Sequence, residues 1–160
     1  MKKILFTSVF LFLTFITNAQ SKDELFAQLN KLVANAKGEK YKGGVFPEAK
    51  TVGLQKFSES VVVCREIDKK KPKKEWVSRY TLMPWDRVRD FYVLGVTDNE
   101  KLGQLLIRFN AVVNWEYYTT DENGDTDPFA GERIEMYVLE KDSEEVKRLI
   151  NNIAVYFQKK

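Results

Sequence analysis

The chain opens with Lys2 and Lys3, then a predominantly apolar run from Ile4 to Ile16, then Thr17-Asn18-Ala19. A charged start, a short apolar stretch and a small residue at its end make the pattern of a secretory signal peptide cleaved after Ala19. The run is 13 residues long, well short of the ~20 that a helix needs to cross a bilayer, so a leader is predicted rather than an anchor. Helical periodicity follows. Ser21 and Glu24 have capping-box spacing, and Leu25, Leu29, Leu32, Val33 and Ala36 recur at helical intervals before Gly38, which predicts a first amphipathic helix over 22–37.

Residues 38–59 carry Gly38, Gly43, Gly44, Pro47 and Gly53 among scattered apolar positions, and predict a linker leading into an irregular first strand. From Val61 the period becomes two and the composition β-rich, with strands expected at Val61-Val62-Val63-Cys64, from Trp76 to Met83 and from Val88 to Leu94. The strongest alternation runs over Leu105, Ile107, Phe109, Ala111, Val113, Trp115 and Tyr117. It reads as one sheet face, and because thirteen extended residues span ~43 Å it predicts either a bend near Asn110 or two strands in sequence. Gln104, Arg108, Asn110, Asn114 and Glu116 occupy the intervening wet positions, as in an antiparallel sheet solvated on one side. After a polar loop from Thr119 to Gly131, Ile134, Met136 and Val138 alternate with Arg133, Glu135 and Tyr137 as a last strand. A closing helix over 142–158 is predicted from the stripe Val146, Leu149, Ile150, Ile153 and Phe157, with Asp142 as cap, Glu145 at N3 and Lys159 and Lys160 at the negative end.

The pattern therefore predicts an α+β fold: an N-terminal helix, an antiparallel bent sheet or partly open barrel of 5–7 strands over 51–140, and a C-terminal helix, all in a single domain over 20–160. This order resembles the pleckstrin-homology-like superfold, in which a bent sheet is plugged at one end by the final helix. The residues from Val61 to Phe157 carry the resemblance, and the extra helix at 22–37 departs from the minimal form. The alternatives are an open sheet packed on two helices, as in cystatin-like or nuclear-transport-factor-like folds, and a small barrel.

Composition narrows the chemistry. Net charge is +3 and falls to +1 once Lys2 and Lys3 leave with the leader, so global charge steering is not supported. Histidine is absent, which removes the commonest general base, metal ligand and triad partner together. Ser58, Ser60, Ser78 and Cys64 thus have no base partner of that kind, and no Gly-x-Ser-x-Gly turn, phosphate loop or dinucleotide signature occurs. The lone Cys64 excludes an intramolecular disulfide and reads as a small packed hydrophobe.

Three features carry candidate chemistry, each with a plainer explanation beside it. Asp121, Asn123, Asp125 and Asp127 alternate, and Glu132 stands at position 12 counted from Asp121, which is the spacing of a calcium loop. Thr126 replaces the turn glycine and the flanks read as strands, so a solvated hairpin loop explains the same residues and calcium is the minor reading. Lys69, Lys70, Lys71, Lys73 and Lys74 gather at a predicted hairpin tip, as for an anionic partner or as edge-protecting lysines in a solvated turn. Trp85, Trp115, Tyr117, Tyr118, Trp76, Tyr80 and Tyr92 could stack on a ligand, although core packing is the usual fate of such side chains. Asp86, Asp90, Glu116 and Asp121 supply carboxylates for glycosidase-type acid and base work, as they would in any chain with 23 acids.

The function expected from these residues is an exported, periplasmic or secreted, non-catalytic binding domain without cofactor. Its partner would be a protein or envelope component rather than nucleic acid, and the domain monomeric or weakly associating. A carboxylate-based hydrolase acting on envelope polymers is the alternative, and an inhibitor or immunity-type protein the third. Two carboxylates 5–9 Å apart in a cleft would favour the enzyme. An exposed apolar patch would favour binding.

Overall fold

The computed structural model of the protein describes residues 20–42, 49–68, 75–96, 98–120 and 127–159. The proposed leader, residues 1–19, lies outside them. Helix α1 (Lys22–Ala34) starts at the N-cap Ser21, whose Oγ accepts from the Glu24 amide at 3.2 Å while the Glu24 carboxylate accepts from the Ser21 amide at 2.8 Å. The predicted capping box is formed. The helix ends at Ala34 rather than at 37, because residues 35–38 close as a turn on Gly38, which takes a left-handed φ of +92°.

Seven strands follow: β1 (Lys40–Lys42), β2 (Ala49–Phe57), β3 (Val61–Asp68), β4 (Glu75–Thr81), β5 (Val88–Val96), β6 (Asn99–Thr119) and β7 (Asp127–Leu139). They form one antiparallel sheet in the order β1-β2-β3-β4-β6-β5, with β7 paired to β6. The sheet is not closed, and α2 (Ser143–Gln158) completes an α+β fold. Among the described residues no helix is long and apolar enough to cross a membrane.

Strand β6 organises the sheet. Over 99–109 it pairs with β5 and over 114–119 with β4, while β7 runs against both stretches. The register to β7 slips between Arg108 and Val113: these oppose Arg133 and Gly131, so β6 spends five steps where β7 spends two. This bulge straddles Asn110, where a bend was expected, and the chain continues as one strand. The alternation keeps its meaning across the bulge: Leu105, Ile107, Phe109 and Val113 are buried in one core and Trp115 packs against it, while Asn110, Val112 and Asn114 are exposed, so the odd positions of β6 write a single face as expected.

Leu105, Ile107, Phe109, Ile134, Met136 and Val138 are buried against Leu25, Phe26, Leu29 and Val33 of α1 and Val146, Leu149, Ile150 and Ile153 of α2. The helices meet each other through Phe26 and Phe157, ring centroids 6.5 Å apart. Helix α2 starts less conventionally than α1. Asp142 stands at its N-cap but makes no side-chain cap hydrogen bond, accepting from Asn35 Nδ2 at 2.9 Å instead, and Glu145 pairs with Arg148.

Two carboxamides finish strand edges that no strand covers. Asn30 of α1 donates to the Phe57 carbonyl at 2.9 Å and accepts from the Phe57 amide at 2.7 Å. Gln55 of β2 does the same for β7, donating to the Tyr137 carbonyl and accepting from its amide, both at 2.7 Å, and also donates to the Val33 carbonyl at the end of α1. A planar amide presents a donor and an acceptor side by side, as a neighbouring strand would. Gln55 reaches this place because β2 bulges between Val52 and Gln55, next to Gly53, where a Cβ would stand 2.9 Å from the Arg65 carbonyl oxygen.

Candidate functional site

Along β3, Val62 and Cys64 face inward and are buried, and the same alternation carries Glu66 inward after them. Its carboxylate meets Lys50 Nζ of β2 at 3.2 Å through one oxygen and accepts from Tyr137 Oη of β7 at 3.4 Å through the other. Lys50 and Glu66 side chains are each only 14% exposed. Burial pushes the Glu66 carboxyl up to about 7, with the Glu135 charge adding to the rise and the Tyr137 hydroxyl opposing it. Burial likewise raises the Tyr137 and Tyr80 hydroxyls and pushes the Cys64 thiol up to about 12, so these groups are neutral at physiological pH. Cys64 Sγ lies 3.5 Å from Gln55 Oε1 and is the packed, inert side chain its flanks predict.

The sequence singled out neither Glu66 nor Lys50. One signal was present: a carboxylate continuing the inward parity of Val62 and Cys64, where a buried charge requires a partner.

The aromatic residues are brought together and largely satisfy one another. Trp76 stacks on Tyr117 at 5.3 Å with 10° between the planes, and Lys50 Nζ lies 5.7 Å from the Trp76 ring centroid. Tyr80 stacks on Trp115 at 5.9 Å, and Trp115 reaches Tyr117 at 6.0 Å and Phe129 at 5.1 Å. This ladder is interior packing across β4, β6 and β7 rather than an open stacking platform. Trp85 is buried, edge-on to Phe26 and Phe109, and its indole N–H donates to the Ser58 and Glu59 carbonyls at 3.2 and 3.0 Å. Tyr92 lies under the Arg108 guanidinium at 5.1 Å.

Of the carboxylates named from the sequence, Asp86, Asp90 and Glu116 are dispersed and ion-paired at the surface. Asp86 meets Arg87 at 3.2 Å and Glu116 meets Arg79 at 2.8 Å, while Asp90 is held by Arg108 and Arg89. The Arg108 hydrogen bond keeps the Asp90 carboxyl below the usual range. Glu66 alone among the described acids has the raised value a general acid needs. Both of its oxygens are already engaged, by Lys50 and Tyr137. Its neighbour Glu135 is bound by Gln104 at 3.0 Å and Arg133 at 2.9 Å.

Of the calcium-loop residues, Asp121, Asn123 and Asp125 lie outside the described residues. Asp127 opens β7 opposite Tyr117, and Glu132 lies five residues further along the same extended strand, 3.9 Å from Arg89. Among the described residues no group of three His, Cys, Asp or Glu side chains is placed to hold a metal. Lys69, Lys70, Lys71, Lys73 and Lys74 also lie outside the described residues. The strands they join are neighbours, paired from Val61 opposite Thr81 to Ile67 opposite Glu75, so the predicted hairpin is formed.

One surface feature was not anticipated. Thr81, Asn114 and Ala130 make a row across β4, β6 and β7. Within two positions of that row stand Leu82, Val112 and Phe129, which are 71%, 60% and 48% exposed; Phe129 pairs with Trp115 on the face of buried Val113, whereas Val112 lies on the opposite face. Leu82 also has φ +56°. A bulky side chain in the left-handed region costs about 1–2 kcal/mol, and such strain concentrates where surfaces are used. Comparison with protein-family models, curated proteins and solved structures finds no match to this chain.

Proposed function

We propose that the protein is an exported, non-catalytic binding domain of the bacterial envelope, and that it meets a protein partner through Leu82 and Val112. The observation that carries this reading is the exposure of two large apolar side chains, Leu82 and Val112, beside the Thr81–Asn114 pair, Leu82 in a strained conformation. Large exposed apolar groups gathered in one place are the mark of a binding surface. The leader-like pattern of residues 1–19 supports a periplasmic or secreted location. The order of a bent sheet followed by a C-terminal helix supports a pleckstrin-homology-like relationship. An inhibitor or immunity-type role would use the same surface. The hydrolase reading is weaker, because the carboxyl with an acid's pKa is enclosed by its own partners.

A photo-crosslinking amino acid at position 112, introduced in producing cells, tests the proposal. A discrete protein adduct is expected, absent when the probe stands at Lys147 on α2 and lost when Leu82→Lys is added. No adduct at 112, or an adduct indifferent to Leu82→Lys, rejects the surface.

A further inference from the structure

Gln20 stands directly ahead of α1, one residue before the N-cap Ser21. The capping box reaches back only as far as Ser21, whose amide donates to the Glu24 carboxylate at 2.8 Å and whose Oγ accepts from the Glu24 amide. Gln20 is therefore outside the helix. Among the described residues nothing is hydrogen-bonded to its backbone nitrogen, and its side-chain amide makes one long, exposed contact, from Nε2 to Gln28 Oε1 at 3.3 Å. Cleavage of the leader after Ala19 turns that backbone nitrogen into the α-amine of the mature chain. We propose, on the premise of export stated above, that Gln20 is a modification site: its α-amine closes on its own side chain, and the mature protein begins with pyroglutamate.

The amine nitrogen attacks Cδ of the Gln20 carboxamide. The N–Cδ bond forms, the Cδ–Nε2 bond breaks, and Nε2 leaves as ammonia with the proton that the amine gives up, so no oxidant, reductant or other co-reactant is consumed. Nucleophile and carbonyl belong to one residue, which replaces a bimolecular encounter by an intramolecular one. Every atom of the new ring comes from Gln20, so the start of α1 need not move: the Ser21 amide stays on Glu24, and the Leu25 amide stays on the Ser21 carbonyl at 3.1 Å. Only the contact to Gln28 is given up. The product also suits its place. An α-ammonium here sets a cation beside Lys22 at the positive end of the helix dipole, which Asp23 and Glu24 offset in part, whereas the lactam is neutral.

The test is to label free amines on the intact exported protein before digestion and then to weigh its N-terminal peptide. That peptide should begin at residue 20, be one ammonia lighter than the glutamine form and carry no label on its α-nitrogen. Gln20→Ala should be cleaved at the same bond and be labelled there in full. Attack needs the neutral amine, which titrates near ~8, so any fraction still open should close faster as the pH is raised from about 6 to 8. A labelled Gln20 terminus that persists at the higher pH would overturn cyclisation while leaving the leader reading intact. A terminus blocked in Gln20→Ala as well would assign the block to other chemistry and overturn it too. A peptide that begins at Met1, or anywhere but residue 20, would reject the cleavage site itself and cyclisation with it.

Discussion

Gln55 uses every hydrogen-bonding atom of its amide: its oxygen accepts from the Tyr137 N–H, and its nitrogen donates to the Tyr137 and Val33 carbonyls. Truncation would strand three backbone groups in the interior. Each buried group left unsatisfied costs about 1–3 kcal/mol, although water entering the gap recovers part of that. Gln55→Ala should therefore lower stability by ~3 kcal/mol in urea denaturation. Gln55→Glu should do at least as much harm, since a carboxylate cannot donate to the two carbonyls. A loss under ~1 kcal/mol in both variants would show that the amide does not hold β2 to β7. Nothing in the sequence around Gln55 announced this role. A glutamine in a strand reads as a solvated alternate position, and its partners lie 22 and 82 residues away. Glu66 was hidden for the same reason. Its place beyond Cys64 follows from parity, but its partners Lys50 and Tyr137 come from β2 and β7. The Ser21 cap was legible because every atom of it lies within four residues.

At the scale of elements, local pattern is decisive where the hydrogen bonds are local. The two helix starts offer a paired test. Ser21 satisfies the Glu24 amide and is itself satisfied by the Glu24 carboxylate, so Ser21→Ala should destabilise by about 1 kcal/mol. Asp142 has the sequence of a cap without its hydrogen bond, and Asp142→Ala should cost about 0.5 kcal/mol or less, the worth of an exposed contact to Asn35. Equal losses in matched denaturation curves would refute the distinction. Strand β6 shows the opposite case. Its alternation from Leu105 to Tyr117 was clear, and the bend near Asn110 was anticipated from length alone. The slip of register against β7 was not, because only the pairing with β7 counts the extra residues between Arg108 and Val113. The exposed Leu82 and Val112 escaped notice likewise: two apolar residues in separate segments are brought to one place only by the pairing of Thr81 with Asn114.

The titratable interior sets how the whole molecule responds to pH. Glu66 binds its proton more tightly in the folded chain, at about 7 against 4.5 for an ordinary glutamate side chain. Its contribution to stability is complete below the unfolded value and is lost as pH rises through the folded one. The window is therefore roughly pH 4.5 to 7, with a loss on the order of 2 kcal/mol across it. Cys64 behaves in the same sense at higher pH, raised from 9.0 to about 12, and Tyr80 and Tyr137 follow it, so stability falls again in the alkaline range. The opposing groups are weak: Asp90 and Glu145 have lowered carboxyl values, but both ion pairs sit in solvent, where screening limits their worth. With no histidine to charge in acid, the melting temperature should peak near pH 5, descend toward pH 7.5, hold, and descend again above pH 9. Glu66→Gln should abolish the first descent and leave the second untouched. A wild-type profile that instead rises from pH 5 to 7.5 would mean that Lys50 and Tyr137 stabilise the Glu66 carboxylate more than burial disfavours it, and the predicted profile would have to be given up.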